Sequence, residues 1–282
     1  MKTVKIKNKP TIYLSDVHGD IGSLELLDAF LKDYPADKYN LVFGGDYIDG
    51  DPDGFKRLRF VKNMQDTRDN TYVLKGNHEQ MLISYLQMPD EFNKRQYYMN
   101  GGKHTLRAAL GTGASAEVMA SAIRGTFPEL VKWLYKLPTA VYDDHKLCVH
   151  AGIDWGAEPW FNTDDKQAIW TRDAYIYNDA QDDGLDYHTK GFHPNTSGKV
   201  IITGHTPTYF FDYDQKCPVY QVGNFDYHEL PRYFIDGGEH GLNHSFNVLV
   251  TDKDGVGTAY KVGVDVARTE EKGYKETPIH RT

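Results

Sequence analysis

The sequence contains little cysteine, no long apolar run and no excess of positive charge. Its two cysteines, Cys148 and Cys217, form no disulfide framework among 282 residues, which is typical of a reducing compartment. The N-terminal residues include no apolar stretch long enough for a signal peptide or a membrane span. These absences predict a cytoplasmic protein that has no membrane partner.

The charge balance restricts the partners further. The sequence has 40 Asp and Glu against 32 Lys and Arg, which gives a formal net charge of -8. An acidic chain gains little from nonspecific contacts with phosphates of nucleic acids. The sequence therefore argues against a nucleic-acid partner. It does not determine the oligomeric state.

What the sequence does contain is the pattern of an α/β protein. Short apolar runs such as 11–14 and 41–43 alternate with helical patterns such as 24–31, which is typical of βαβ units with parallel strands. The pattern becomes mostly helical at about 79–137, and strand-like runs return after Pro138. We predict a single domain over residues 1–282, with two packed sheets covered by helices and a helical cap or insertion at about 79–137.

Five strand-like runs end in polar clusters that are rich in aspartate, histidine and glycine. The clusters are SDVHGD at 15–20, GGDYID at 44–49, KGNHE at 75–79, CVHAG at 148–152 and ITGHT at 202–206. Groups at the carboxyl ends of strands in open α/β sheets converge on one crevice. Carboxylate oxygens, imidazole nitrogens and an amide oxygen form a ligand set that suits Mn²⁺, Fe or Zn²⁺, and this set is not that of a thiolate zinc site. An aspartate before a helix is often only an N-cap, but five such clusters together are hard to explain as capping.

In this order, the motifs SDVHG, GDYID, GNHEQM, HAG and GHTP resemble those of the calcineurin-like metallophosphoesterases. The similarity is greatest to the phage and bacterial serine/threonine phosphoprotein phosphatases. It extends from about Ile12 to Val250 and includes NGG at 100–102 and IWTR at 169–172. The resemblance implies a four-layer α/β/β/α sandwich of two mixed sheets with a dinuclear metal centre. We expect manganese in that centre, with iron and zinc as alternatives.

The resemblance also implies which residues bind the metals. Six residues would hold the two divalent ions: Asp16, His18, Asp46, Asn77, His150 and His205. Asp46 would bridge the ions, with Asp16 and His18 on the first ion and the others on the second.

The resemblance further implies four residues for catalysis and phosphate binding. His78 would protonate the leaving alkoxide, and Asp49 would bind the far nitrogen of its imidazole. A carboxylate at that nitrogen raises the imidazole pKa and fixes the tautomer. Arg172 and Asn77 would bind the substrate phosphate.

One position departs from the family pattern, which usually reads Gly-Asp-x-Val-Asp-Arg-Gly. Gly50 stands where that arginine would bind phosphate. The absence of the arginine removes a strong bidentate contact with the substrate phosphate. Arg172 would then be the remaining phosphate arginine, unless Lys103 or Arg107 reaches in from the helical segment.

The segment GGDYIDGDPDG at 44–54 holds four aspartates. Beyond Asp46 and Asp49, we predict that Asp51 and Asp53 belong to the turn and to the N-terminus of the next helix. A calcium loop that begins at Asp49 is excluded, because its twelfth position is Phe60 where a bidentate glutamate is needed.

These observations predict a metal-dependent phosphoesterase. It would hydrolyse phosphomonoesters, either phosphoserine and phosphothreonine in proteins or small phosphoesters, by attack of a metal-bridging hydroxide. Two alternatives stay open. One is a dinucleoside polyphosphate hydrolase. The other is a binding scaffold of the same fold with weakened catalysis, an alternative suggested by Gly50 but opposed by the presence of His78 and Asp49.

Overall fold

The computed structural model describes residues 1–18, 21–110, 114–178, 191–211, 218–223, 225, 228–238, 245–270 and 272–281. The strands are β1 (Thr3–Lys5), β2 (Thr11–Leu14), β3 (Asn40–Phe43), β4 (Thr71–Val73), β5 (Ala140–Tyr142), β6 (Lys146–Val149), β7 (Val200–Thr203), β8 (Tyr220–Val222), β9 (Arg232–Phe234), β10 (Ser245–Thr251), β11 (Gly257–Gly263), β12 (Tyr274–Thr277) and β13 (His280–Arg281). The α-helices are α1 (Ile21–Glu25), α2 (Leu27–Leu31), α3 (Gly54–Thr67), α4 (Asn77–Gln87), α5 (Glu91–Tyr97), α6 (Lys103–Leu110), α7 (Ala116–Thr126), α8 (Pro128–Leu134), α9 (Asp165–Trp170), α10 (Asp173–Ile176) and α11 (Val264–Ala267). Shorter helical turns span Tyr98–Gly102, Trp160–Asn162 and Thr208–Phe210.

The strands form two mixed sheets, as predicted. The six-stranded sheet has the order β12-β11-β10-β2-β3-β4, in which β2, β3 and β4 are parallel neighbours and the other pairs are antiparallel. The seven-stranded sheet has the order β1-β5-β6-β7-β9-β8-β13, with β6, β7 and β9 parallel at its centre.

Alternate residues of β2 face opposite layers. Ile12 and Leu14 belong to a buried cluster with helical residues, whereas Tyr13 belongs to another that includes Cys148 and Tyr233 of the seven-stranded sheet. Successive side chains of a strand point to opposite faces of its sheet. The six-stranded sheet therefore packs on helices with one face and on the other sheet with its second face.

Helices also cover the outer face of the seven-stranded sheet. Val149 of β6 and Phe234 of β9 pack with Ile153 and with Tyr175 and Ile176 of α10. The architecture is thus the four-layer α/β/β/α sandwich, which confirms the predicted fold class. Among the described residues, no helix combines the length and the apolar character that crossing a membrane requires.

Between β4 and β5, the described residues include helices α4 to α8, which are joined by short non-helical connections. Leu82, Leu106 and Ile123 of this segment share one buried cluster with Ile12 of β2. The segment is therefore part of the helical layer on the six-stranded sheet. The extent of the domain, residues 1–282, stays a prediction.

The predicted helix at 24–31 is instead divided into α1 and α2. The N–H of Ala29 donates to the carbonyl of Leu26, three residues back. Such a bond is typical of 3₁₀ turns and interrupts the regular α-helical pattern at this point.

Candidate metal centre

The loops after five strands meet at one edge of the two sheets. The N–H of Asp16, after β2, donates to Gly45 O, after β3, at 3.0 Å, and the N–H of Gly204, after β7, donates to His150 O, after β6, at 2.9 Å. The N–H of His205 donates to Asp16 Oδ2 at 3.0 Å and so links the two sheets. Parallel strands within each sheet thus bring their carboxyl ends to a shared crevice.

Asp46 lies at the centre of this crevice. Its Oδ2 atom lies near three imidazole Nε2 atoms, those of His150 at 3.4 Å, His78 at 3.8 Å and His18 at 3.9 Å. Two groups of potential ligands share it: His18, Asp46 and His78 form one, and Asp46, His150 and His205 form the other. Within each group the ligand atoms lie within 4.8 Å of one another.

The remaining two predicted ligands lie beside these groups. Asn77 Oδ1 is 2.9 Å from His150 Nε2, and Asp16 accepts the backbone bond from His205. The structure therefore brings all six predicted ligands together. It differs in one respect, because His78 rather than Asp16 completes the group around His18.

Backbone carbonyls orient two of the histidines. His18 Nδ1 lies 2.7 Å from Ile48 O, and His150 Nδ1 lies 2.9 Å from Gly44 O. A carbonyl can only accept, so each Nδ1 carries the proton and each Nε2 is left to face Asp46. A hydrogen bond at the second nitrogen commonly fixes a metal-binding imidazole in this way.

His78 contacts Asp49, as the sequence predicted. His78 Nδ1 lies 2.8 Å from Asp49 Oδ2, and Asp49 is buried. Burial lowers the pKa of His78, but the charge of Asp46 and the hydrogen bond to Asp49 outweigh it and raise the pKa to about 9. Both groups favour the protonated imidazole, and its Nε2 lies 3.8 Å from Asp46 Oδ2.

Backbone strain is concentrated in this crevice. Asp16, Asp46, Asp49 and His205 have φ angles of 54°, 57°, 77° and 63°. Left-handed conformations cost non-glycine residues of the order of 1 kcal/mol, and such residues cluster at functional sites. The surrounding loops hold these four side chains in place despite that cost.

The flanking glycines allow close approach of the loops. A Cβ atom on Gly76 would lie 2.1 Å from Asp46 Oδ1, and one on Gly204 would lie 2.0 Å from Asp16 Oδ2. Any other residue at either position would displace a carboxylate of the site.

Glu79 is a structural residue of the site that the sequence analysis missed. Its buried carboxylate accepts hydrogen bonds from the N–H groups of Asp46 (2.9 Å), Tyr47 (2.8 Å) and Gly76 (2.9 Å). It thereby joins the loops after β3 and β4. The signal was its place in the first turn of α4, three residues after Gly76, where a glutamate bonds back to the N-cap N–H.

Tyr97 and Thr105 were also missed. Both come from the helical segment, and both hydroxyl groups donate to Asp49 Oδ1, at 2.7 Å and 2.8 Å. Nothing in the sequence pattern marks them, because they lie 48 and 56 residues from Asp49.

Asp51 and Asp53 take the turn positions that were predicted. Asp51 Oδ1 accepts the N–H of Asp53 at 2.6 Å, and Asp51 Oδ2 pairs with the buried Arg57 at 2.7 Å. Asp53 stands at the N-cap of α3, but its carboxylate pairs with Lys56 and makes no capping hydrogen bond.

Of the two candidate phosphate contacts, Asn77 is buried in the ligand cluster and Arg172 lies on the solvent side. Arg172 is exposed, and its Nη1 lies 3.4 Å from Thr206 Oγ1, next to His205. Gly50 is exposed as well. Lys103 and Arg107 lie in α6, half-buried and exposed respectively, and their reach to a substrate stays a prediction.

Residues 9–240 match the family model of the calcineurin-like phosphoesterases. The chain belongs to this family. No match was found among curated proteins.

Solved structures with a similar fold include other phosphoesterases. One is provisionally described as a diadenosine tetraphosphatase, with 14% identity, TM-score 0.50, and 98% of this chain and 97% of that chain covered. A metallophosphoesterase from Sphaerobacter thermophilus has 18% identity and TM-score 0.49 over 94% and 92% of the two chains. A serine/threonine phosphatase from Saccharomyces cerevisiae has 13% identity and TM-score 0.46 over 99% and 84%. At these identities the likeness concerns the fold alone.

The crevice of this calcineurin-like phosphoesterase suits the dinuclear metal centre of its family. His205 Nε2 is buried and has no hydrogen-bond partner among the described residues. Burial and the charges of His150 and Arg172 lower the pKa of His205 well below its usual value, so the imidazole is neutral. A buried acceptor without a partner costs about 1–3 kcal/mol, which a divalent cation on that nitrogen would offset.

Proposed function

We propose that this phosphoesterase hydrolyses phosphomonoesters at two divalent metal ions. The observation that carries the proposal is the hydrogen bond between His78 and Asp49 at the edge of the carboxylate and imidazole cluster. A proton donor with a raised pKa adjoins a cluster of potential metal ligands in one crevice, which is the combination that hydrolysis of an alkyl phosphate needs.

Asp16, His18 and Asp46 would hold the first ion. Asp46 would be shared with the second, which Asn77, His150 and His205 complete. When bound, the two cations would acidify a water molecule and neutralise charge on the phosphoryl oxygens. Carboxylate, imidazole and amide donors favour manganese, with iron and zinc as alternatives.

The protein side chains carry out the remaining tasks. His78 donates its Nε2 proton to the oxygen of the leaving alcohol, while Asp49 keeps the Nδ1 proton in place. Arg172 is an exposed guanidinium beside the ligand cluster, where it can bind phosphoryl oxygens, and Asn77 contributes its amide. Charge-assisted bonds of this kind are among the strongest that a protein forms with phosphate.

The substrate that we propose is a phosphomonoester, either phosphoserine and phosphothreonine in a protein or a small phosphoester. The first test is an assay of the purified chain on an aryl phosphate with and without Mn²⁺. Turnover that depends on Mn²⁺ is expected, and its absence would favour a binding scaffold that has lost catalysis.

The second test separates monoesters from dinucleoside polyphosphates. A phosphothreonine peptide and a dinucleoside tetraphosphate are compared under the same Mn²⁺ concentration by kcat/KM. We expect the higher value for the monoester. A preference of more than tenfold for the tetraphosphate would overturn the substrate assignment but not the phosphoesterase chemistry.

A further inference from the structure

A break between two helices brings two hydroxyl groups to one oxygen atom. Tyr97 ends α5 and Thr105 lies in the first turn of α6, yet both donate to Asp49 Oδ1. In a continuous helix, residues eight positions apart lie about 12 Å apart along the axis. The interruption at Tyr98–Gly102 is therefore required for this convergence.

The NGG motif at 100–102 shapes the interruption. Gly101 has a φ of 91°, and a Cβ atom there would lie 3.0 Å from Gly50 N. A Cβ atom on Gly102 would lie 2.5 Å from carbon atoms of the Tyr97 ring. Two glycines thus let the turn lie against the loop after β3 and let the tyrosine ring lie close to the turn.

The two hydroxyls leave the Asp49 carboxylate one orientation. Oδ1 accepts from Tyr97 and Thr105, so Oδ2 is the oxygen that faces His78 Nδ1 at 2.8 Å. Thr105 Oγ1 also accepts the N–H of Asp49 at 3.1 Å, so it holds the backbone and the carboxylate of the same residue. All three residues, Asp49, Tyr97 and Thr105, are fully buried.

We propose that Tyr97 and Thr105 are positioning residues for proton donation by His78. They hold the Asp49 carboxylate in the plane in which Oδ2 meets His78 Nδ1, and they thereby aim His78 Nε2 at the leaving oxygen. The inference rests on the proposed function. It assigns to the helical segment a role in the acid step, separate from metal binding.

The test uses the dependence of the rate on the leaving group. An alkoxide must be protonated as it departs, whereas 4-nitrophenolate is stable enough to leave without a proton. Hydrogen-bond partners behind a metal-binding imidazole contribute about 10- to 100-fold to affinity or activity, and we expect the lower bound for partners behind the imidazole of His78. Tyr97→Phe and Thr105→Val are each expected to lower kcat about tenfold on an alkyl phosphate and less than twofold on 4-nitrophenyl phosphate.

Two variants serve as controls. Tyr85→Phe removes a hydroxyl from a buried tyrosine whose ring stacks on that of Tyr97, but that hydroxyl bonds to Ala116 O at 2.8 Å. Its effect should be equal on both substrates. Thr105→Ser keeps the hydroxyl and is expected to retain the wild-type ratio of the two rates.

Each outcome either supports or overturns the positioning role of Tyr97 and Thr105. Equal losses on both substrates in Tyr97→Phe and Thr105→Val would show a packing role and overturn the inference alone. Absence of turnover by the wild-type chain on either substrate would overturn the proposed function and the inference together. Thermal unfolding identifies a variant that does not fold; in that case, comparison of Thr105→Val with Thr105→Ser decides.

Discussion

The two sides of the crevice differ in how far the protein satisfies its own polar atoms. On the side of His78, the imidazole Nδ1 is bonded to Asp49, and both oxygens of Asp49 have donors. On the side of His205, Nε2 is buried without a partner among the described residues, and Arg172 is exposed to solvent.

Under the proposed function, this difference separates a proton donor that is assembled in advance from a part that a cation and a phosphate would complete. A preorganised donor needs no rearrangement during the reaction, which is where electrostatic catalysis gains most. An unpartnered buried nitrogen beside an exposed guanidinium is instead the arrangement expected of a site completed by a cation and a phosphate. The following variants test the contrast, beginning with the residue that both sides share.

Asp46→Asn should have the largest effect. Asp46 belongs to both ligand groups, and the amide removes the charge that both ions would neutralise. Metal ions supply several kcal/mol of transition-state stabilisation, so turnover on an aryl phosphate should fall about a thousandfold or more. Bound Mn²⁺, measured by elemental analysis after gel filtration, should fall as well. Asp53→Asn is the matched control on the same loop, and wild-type Mn²⁺ content in Asp46→Asn would contradict the shared-ligand hypothesis.

His78→Asn should remove the acid without removing the metals. Loss of general acid catalysis should lower kcat on an alkyl phosphate by about 10² to 10⁴, with wild-type Mn²⁺ content. The metal content is the sharper measurement, because His78 lies in the ligand group around His18. Loss of one ion per chain would make His78 a ligand and would overturn its assignment as the proton donor.

Arg172→Ala should weaken substrate binding on the other side. A charge-assisted hydrogen bond contributes about 1.5–3 kcal/mol, so kcat/KM on a phosphomonoester should fall about 10- to 100-fold while Mn²⁺ content stays unchanged. Arg172→Lys keeps the charge but not the planar fork and should recover part of the loss. A value of kcat/KM for Arg172→Ala within twofold of wild type would show that another cation binds the phosphate.

The sequence predicted residues whose side chains meet in the crevice, and it missed those that hold these side chains in place. Asp46, His150 and His205 could be found because each follows a strand, and parallel strands bring their ends together. Tyr97 could not be found, because its contact with Asp49 spans 48 positions of the chain. Glu79 could be found only as a capping residue of α4, because its bonds to Asp46 and Tyr47 span 33 and 32 positions. Such contacts depend on how the helical layer packs, and local pattern does not record this packing.

Gly50→Arg should change kcat/KM on a phosphomonoester less than the variants above do. It tests the departure from the family pattern at this position. Gly50 has a φ of 84°, and a Cβ atom there would have no neighbour within 4 Å among the described residues. A side chain therefore fits, at a backbone cost of about 1 kcal/mol in the free energy of unfolding.

Gly50→Ala carries the same backbone cost without the guanidinium, so the comparison of the two variants isolates the charge. We expect Gly50→Arg to exceed Gly50→Ala by a few-fold in kcat/KM on a phosphomonoester, and by more in the Arg172→Ala background, where a phosphate contact is lacking. Equal values in both backgrounds would mean that position 50 does not face the phosphate. In that case phosphate binding on the exposed side of the crevice would depend on Arg172 together with a cation of α6. Lys103→Ala and Arg107→Ala would then lower kcat/KM on the phosphomonoester, although Gly50→Arg does not raise it.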